Sequence, residues 1–215
     1  MKTPVVLGLF SLLGVAQAAC DASTFMPVGT RTYALNSGAD KSSISIKTSA
    51  LSGDRMKVQT TMNGKTIPVV WTCTASGMKA SIPAGQGGGQ VNVDAGFFPP
   101  ASRWKVGYSW NSAGAVDMDA PGLGAMKMTT ATTSKIVKEE KITVPAGTFT
   151  ALRVDSTISM KVSLPAGTKL PRGMDLNRMM GGPTTTSAWY VRGVGLIRSS
   201  SGKDGAGMVL TEMGK

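Results

Sequence analysis

The chain has 215 residues and a mass of 22.2 kDa, a size that suits one domain. Hydrophobic residues are 41% and charged residues 16%, which excludes the sparse-core composition of a disordered chain. His is absent and Cys occurs twice, so His-dependent triads, His-ligated metals and four-Cys zinc sites are excluded.

The first segment reads as a secretory signal peptide. Lys2 supplies a positive start, Val5 to Val15 a short apolar run, and Ala16-Gln17-Ala18 a cleavage signature with the cut after Ala18. The apolar run is too short to cross a bilayer core of ~30 Å as a helix. Residues 19–215 are then a single β domain outside the cytoplasm, in the periplasm, the cell envelope or the medium. Just beyond the cut, Cys20 has two readings. An oxidising compartment favours a disulfide with Cys73. Lipidation of Cys20 is the other, weakened by Gln17, where a lipoprotein signal carries a bulky aliphatic residue.

Period-two alternation dominates from there on. Met56, Val58 and Met62 alternate with Lys57, Gln59, Thr61 and Asn63. Asn63-Gly64 predicts a tight hairpin of the I′ type, leading into Ile67, Val69, Trp71 and Cys73. Ile82-Pro83-Ala84-Gly85 is a corner, because Pro presets φ and Gly accepts the positive φ that closes it. The stretch 85–90 reads as a flexible surface loop; it lacks the Gly-Lys-Ser/Thr end of a phosphate loop. Trp104, Val106, Tyr108 and Trp110 suggest a further strand. Asp117 and Asp119 share a face, and a solvated turn before Ala120-Pro121-Gly122 explains them best. Ile142 and Val144 lead to a second corner, Val144-Pro145-Ala146-Gly147.

A long half-buried strand follows, with Leu152, Val154, Ile158, Met160, Val162 and Leu164 apolar and Arg153, Asp155, Thr157, Ser159, Lys161 and Ser163 polar. A third corner, Leu164-Pro165-Ala166-Gly167, opens a long connection to Pro183. Within it Asp175 caps a short helical turn near 175–180 that puts Leu176, Met179 and Met180 on one face. Such a connection serves as a plug at one end of the core, as a lid over a pocket, or stays disordered. Gly193 and Gly195 alternate on the last strand, leaving room for a neighbouring ring, a bend or a ligand.

Little of this carries catalytic chemistry. Ser-x-x-Lys occurs at Ser76/Lys79, Ser102/Lys105 and Ser200/Lys203, about as often as chance provides, and companion motifs are missing. No catalytic residue is nominated and no enzymatic activity is expected. Thioethers bind Cu(I), and Met118, Met126, Met128, Met179 and Met180 come closest to such spacing. Met filling gaps in a core poor in Leu and Phe explains them better. No metal and no cofactor is expected. The net charge is +11, and the leader contributes only Lys2 to it. That basicity attracts anionic polymers or membrane surfaces. The densest run, Lys138-Glu139-Glu140-Lys141, cancels itself and no RNA-binding motif occurs, so nucleic acid is not an expected partner.

Two segments carry a resemblance. Val144-Pro145-Ala146-Gly147-Thr148-Phe149-Thr150-Ala151-Leu152-Arg153-Val154 and Trp189-Tyr190-Val191-Arg192-Gly193-Val194-Gly195-Leu196-Ile197-Arg198 together resemble a bacterial exported family of unknown function, the TapB-like group. The resemblance spans roughly residues 130–213. It implies a single all-β domain around an apolar interior, similar in outline to periplasmic lipid carriers, and brings no catalytic residues.

The sequence thus predicts an all-β antiparallel curved sheet or open barrel. Its expected function is that of a non-catalytic envelope protein holding a lipid-like or other apolar small molecule. Trp104, Trp110, Met128, Met160, Leu176, Met179, Met180 and Trp189 are the expected ligand-binding residues. The alternative is a structural or adhesive component that binds anionic envelope polymer through its basic surface.

Overall fold

The computed structural model describes residues 26–37, 40–51, 55–74, 77–82, 89–94, 103–120, 124–165, 168, 182–202 and 206–214. Among them run twelve strands: β1 (Gly29–Ser37), β2 (Asp40–Ala50), β3 (Arg55–Met62), β4 (Lys65–Thr74), β5 (Gly77–Ile82), β6 (Gly89–Asp94), β7 (Ser109–Ala120), β8 (Gly124–Val144), β9 (Gly147–Ser163), β10 (Thr184–Val191), β11 (Gly195–Ser201) and β12 (Ala206–Gly214). The fold is all-β. Each strand pairs antiparallel with its sequence neighbours, and β12 returns to β1, so the sheet closes into a barrel. An open barrel or curved sheet was the expectation. Closure goes further, and it removes the free edges that an open sheet would have to protect.

Turn chemistry explains the tightest hairpins. Asn63 (φ 50°) and Gly64 (φ 73°) both take positive φ between β3 and β4, as the I′ turn requires. Pro145-Ala146 joins β8 to β9, and Gly147 (φ 139°) follows the corner. This hairpin is the longest pairing in the barrel, from Val144↔Gly147 to Lys127↔Ser163.

One side of the sheet is apolar across most of the ring. Along β7 and β8 Ser112, Ser134 and Ile136 are buried, while Asn111, Thr133 and Lys135 between them are exposed. The buried side is therefore the inside. On that side Met56 pairs with Trp71, Val116 with Met128 and Met128 with Val162, and the backbone register through residues 80 and 91 links the two sets. These five side chains form an apolar hoop. Outward positions carry Lys47, Lys57, Lys127, Lys135 and Lys161 among Ser and Thr. That polarity is the reverse of a membrane-spanning barrel, whose lipid-facing side is apolar.

A core cluster holds one end of the barrel together. Three register shifts lie near it, between Ile136 and Lys138, between Trp189 and Tyr190, and between Thr32 and Tyr33. Bulges bend strands. The bent tips meet β1 and β12: Ala146 N–H donates to Leu210 O at 3.3 Å, and Tyr33 Oη–H donates to Leu196 O at 3.0 Å. Tyr33, Val144, Ala151, Trp189, Ile197 and Leu210 form the core cluster there.

Several expectations are corrected. Val106 is not on a strand; residues 103–108 form a turn with Gly107 at φ 91°, and Val106 is exposed. Gly89 and Gln90 belong to β6 rather than to a loop, because their backbones pair with Ile82 and Ser81. Asp117 lies in β7, paired with Gln90 and Lys127, not in a turn. Gly193 and Gly195 are not two positions on one strand face. Residues 192–194 turn the chain between β10 and β11, and both glycines take positive φ. Cys20 and the 175–180 turn, with Leu176, Met179 and Met180, lie outside the described residues, as does the signal segment.

Candidate functional site

Where the chain enters β7, residues 103–108 fold Trp104 onto the barrel wall. Two backbone bonds fasten this segment to β8: Gly107 N–H to Ile136 O at 2.8 Å and Ile136 N–H to Tyr108 O at 2.9 Å. Trp104 is thereby buried against Ile136 and Val154, with Tyr108, Trp110, Leu152 and Tyr190 around them. The rings interlock. Trp104 and Tyr190 meet edge to face at 5.7 Å, Trp104 and Trp110 tilt at 6.1 Å, and Tyr108 stacks on Trp110 at 5.8 Å. Such pairs add about 0.5–1.5 kcal/mol each beyond their burial.

This aromatic cluster bounds a recess of about 310 Å³ on the inside of β7 to β10. Trp104, Trp110, Val154, Ile158, Ala188 and Tyr190 give it apolar walls. Ser112, Thr132, Ser134, Ser156 and Thr186 add a belt of hydroxyls, two of which bond each other, Ser134 Oγ to Ser156 Oγ at 2.8 Å. No charged side chain is among its described lining. Burial pushes the Tyr190 phenol up to about 12, so this group too is neutral at physiological pH. The volume lies at the low end of the range for small-molecule pockets.

One recess residue carries a buried polar atom that lacks a partner. Trp110 Nε1 is buried and has no hydrogen-bond acceptor among the described residues. A buried donor left unmade costs about 1–3 kcal/mol, which makes the indole N–H the group there with most to gain from an acceptor.

The expected residues divide as follows. Trp104 and Trp110 line the recess. Met128 and Met160 stand on the same inner face further along β8 and β9, opposite Val162 and Thr130. Trp189 lies on the other face and is corrected as a recess residue. It is buried between Arg153 and Arg198, whose guanidinium carbons lie 5.5 and 5.0 Å from its ring centre, and its Nε1–H donates to Glu140 Oε1 at 2.8 Å. Hydrogen bonds from Lys138 and then from Trp189 hold the Glu140 carboxyl below its usual range. The hydroxyl belt is not legible in the sequence. Its Ser and Thr are spaced like ordinary strand residues, and only pairing shows that they share the inner face. Among the described residues no group of three or more His, Cys, Asp or Glu could hold a metal ion.

The outer face of the same strands holds a second hollow of about 470 Å³, lined by Lys135, Arg153, Asp155, Ser187 and further hydroxyls. Its charges largely satisfy one another. Arg153 Nε–H donates to Asp155 Oδ1 at 2.7 Å and an Nη2–H to Ser187 Oγ at 3.1 Å, while Ser187 Oγ–H donates to Asp155 Oδ1 at 2.7 Å.

The model of the DUF3108-like family matches residues 97–209, more than half of the chain. The chain belongs to the DUF3108-like family. Both segments that carried the TapB-like resemblance fall within this range; the family shown is DUF3108-like, and the match does not extend to the TapB-like group. The match takes in β7 to β11, and so every described wall of the recess. Among solved structures, a lipoprotein candidate from Parabacteroides distasonis is similar at TM-score 0.51 and 15% identity, over 90% of this chain and 99% of that one. An exported-protein candidate with a YmcC-like fold from Bacteroides fragilis is similar at TM-score 0.48 and 14% identity, over 89% and 99%. No curated protein matches the chain.

Proposed function

We propose that this DUF3108-like protein is an extracytoplasmic carrier that holds an amphipathic, lipid-like molecule inside its barrel. The apolar hoop from Met56 to Val162 carries the reading. Its described members, Met56, Trp71, Val116, Met128 and Val162, are only half-buried although they face inward. An eight-stranded barrel is just wide enough for its own side chains to fill, whereas larger barrels enclose cavities. Twelve strands with an apolar inner face leave greasy surface that a ligand covers well. Lys2, the apolar run and Ala16-Gln17-Ala18 support an exported chain, and the structural neighbours are themselves described as exported-protein and lipoprotein candidates. Native mass spectrometry of protein purified from its own host tests the reading. A co-purifying lipid that organic solvent extracts supports it; ligand-free protein that also fails to take up an apolar fluorescent reporter refutes it.

The outer hollow supports a second reading, an anionic envelope polymer bound through Lys135 and its neighbours. It predicts heparin binding that weakens steeply with salt and is lost in Lys135→Glu.

A further inference from the structure

We infer that the recess recognises an acyl chain through an uncharged carbonyl, an ester or amide, which accepts the hydrogen bond that Trp110 Nε1 offers. The inference rests on the carrier reading and adds to it the chemical class of the ligand.

First, Trp110 lines the recess, and its Nε1 is buried without an acceptor among the described residues. The indole nitrogen donates only, so whatever relieves it carries an acceptor oxygen. Second, the described lining has hydroxyls but no Lys or Arg. A carboxylate or phosphate placed there would lose its water without gaining a countercharge, which is costly. A neutral carbonyl suits both conditions: it accepts from Trp110, and Ser and Thr hydroxyls stand beside it. Third, the inner face continues from the recess along paired positions of β8 and β9, Thr132↔Ile158, Thr130↔Met160 and Met128↔Val162. These lead away from the aromatic floor toward the apolar hoop. A chain joined to a carbonyl at the hydroxyl belt runs along that row, where the thioethers of Met128 and Met160 adapt to its shape. A charged headgroup has no place in the recess and stays at its solvent side.

The test displaces N-phenyl-1-naphthylamine, an apolar fluorescent reporter, from the full protein. Three competitors share one chain: monooleoylglycerol as ester, oleoylethanolamide as amide, and oleate at pH 8 as carboxylate. Monooleoylglycerol, oleoylethanolamide or both should compete at least tenfold better than oleate, and whichever does identifies the linkage. Trp110→Phe keeps a ring and removes the donor. It should weaken that competitor about fivefold to tenfold relative to the reporter, whose own affinity is measured on the same variant, as one hydrogen bond is worth. The indole ¹H–¹⁵N resonance of Trp110 in the wild-type protein gives an answer independent of the variant. It should move on adding the ester or amide and stay fixed with the reporter alone. Oleate competing as well as both, or no effect of Trp110→Phe together with an unmoved indole resonance, overturns the inference while leaving the carrier reading standing. A reporter that never binds overturns the carrier reading itself.

Discussion

Trp189 on β10 reaches across β9 to Glu140 on β8, Nε1 to Oε1 at 2.8 Å, and so ties three strands together on the side of the sheet away from the recess. The bond exists because of a bulge. The register passes from Ile136↔Val154 to Lys138↔Arg153, skipping Val137, and every later residue of β8 changes face. Without that shift Glu140 would point into the barrel.

Trp189→Phe keeps the buried ring and loses the bond to a partly exposed carboxylate, so unfolding should need less urea by about 1–2 kcal/mol. Trp189→Ala also empties a buried site and should cost about 3–5 kcal/mol. Both variants should bind N-phenyl-1-naphthylamine as the wild type does. A binding loss in Trp189→Phe at full stability would return this residue to the ligand site.

Tyr33 predicts the alkaline limb. Its phenol is buried and its pKa is pushed up from 10.0 to about 12, chiefly by burial, with Arg31 opposing. The folded protein therefore holds this proton at pH values where the unfolded chain has lost it. The resulting stability is complete below pH 10 and disappears as pH rises from about 10 to 12, by about 2–3 kcal/mol. Tyr190, also raised to about 12, acts in the same direction. Tyr33→Phe should lose about 1 kcal/mol at neutral pH, through its bond to Leu196 O. It should also show a shallower fall in chemical-denaturation stability between pH 10 and 12. An unchanged slope would mean the phenol ionises as freely folded as unfolded.

Arg31 fastens the packed end. Its Nε–H donates to Val194 O at 2.6 Å and an Nη1–H to Pro27 O at 2.7 Å, so one planar group holds the β10–β11 turn and the segment before β1. Burial lowers the pKa of this guanidinium from its usual value. Arg31→Met removes the buried charge but leaves two carbonyls short of a donor, and should destabilise by about 2–4 kcal/mol. Arg31→Lys keeps the charge on a group without the fork and should recover less than half of that. Amide hydrogen exchange at residues 192–194 should accelerate in both. Exchange as slow as in the wild type would show that the turn is held by its apolar contacts alone.

Much of this was legible from residue order. The alternation from Leu152 to Leu164 gave β9 and its inner row, and Asn63-Gly64 and Val144-Pro145-Ala146-Gly147 gave two hairpins, because those patterns are local. What residue order does not show depends on pairing. Ile136-Val137 reads as an ordinary apolar pair and does not show that Val137 is extra. Trp189-Tyr190 offers two adjacent rings, and only the register reveals that Tyr190 faces the recess and Trp189 the opposite side. Trp104 reads as one more strand residue, but residues 103–108 form a turn that lays its ring on the wall. Nothing local in the sequence shows that β12 meets β1, since the paired residues stand far apart in the chain.

Two inward residues separate a barrel with room inside from one that is filled. Ile136 and Met160 both point inward from long central strands, yet Ile136 is 0% exposed and Met160 only half-buried. Ile136 packs against Trp104 and Val154 where the walls are close, so Ile136→Ala leaves a cavity that rings on all sides keep open, and should cost about 3–4 kcal/mol. Met160 faces the lumen, where its thioether touches fewer atoms and water already reaches it. Met160→Ala should therefore cost about 1 kcal/mol or less, the area term without the cavity term. The same change should weaken reporter binding, because it removes lumen wall. Denaturant midpoints of the two variants, read beside reporter affinity, decide the matter. Equal losses of about 3 kcal/mol at both positions would mean that the inner face at Met160 is already packed, and the carrier proposal would have no space to use.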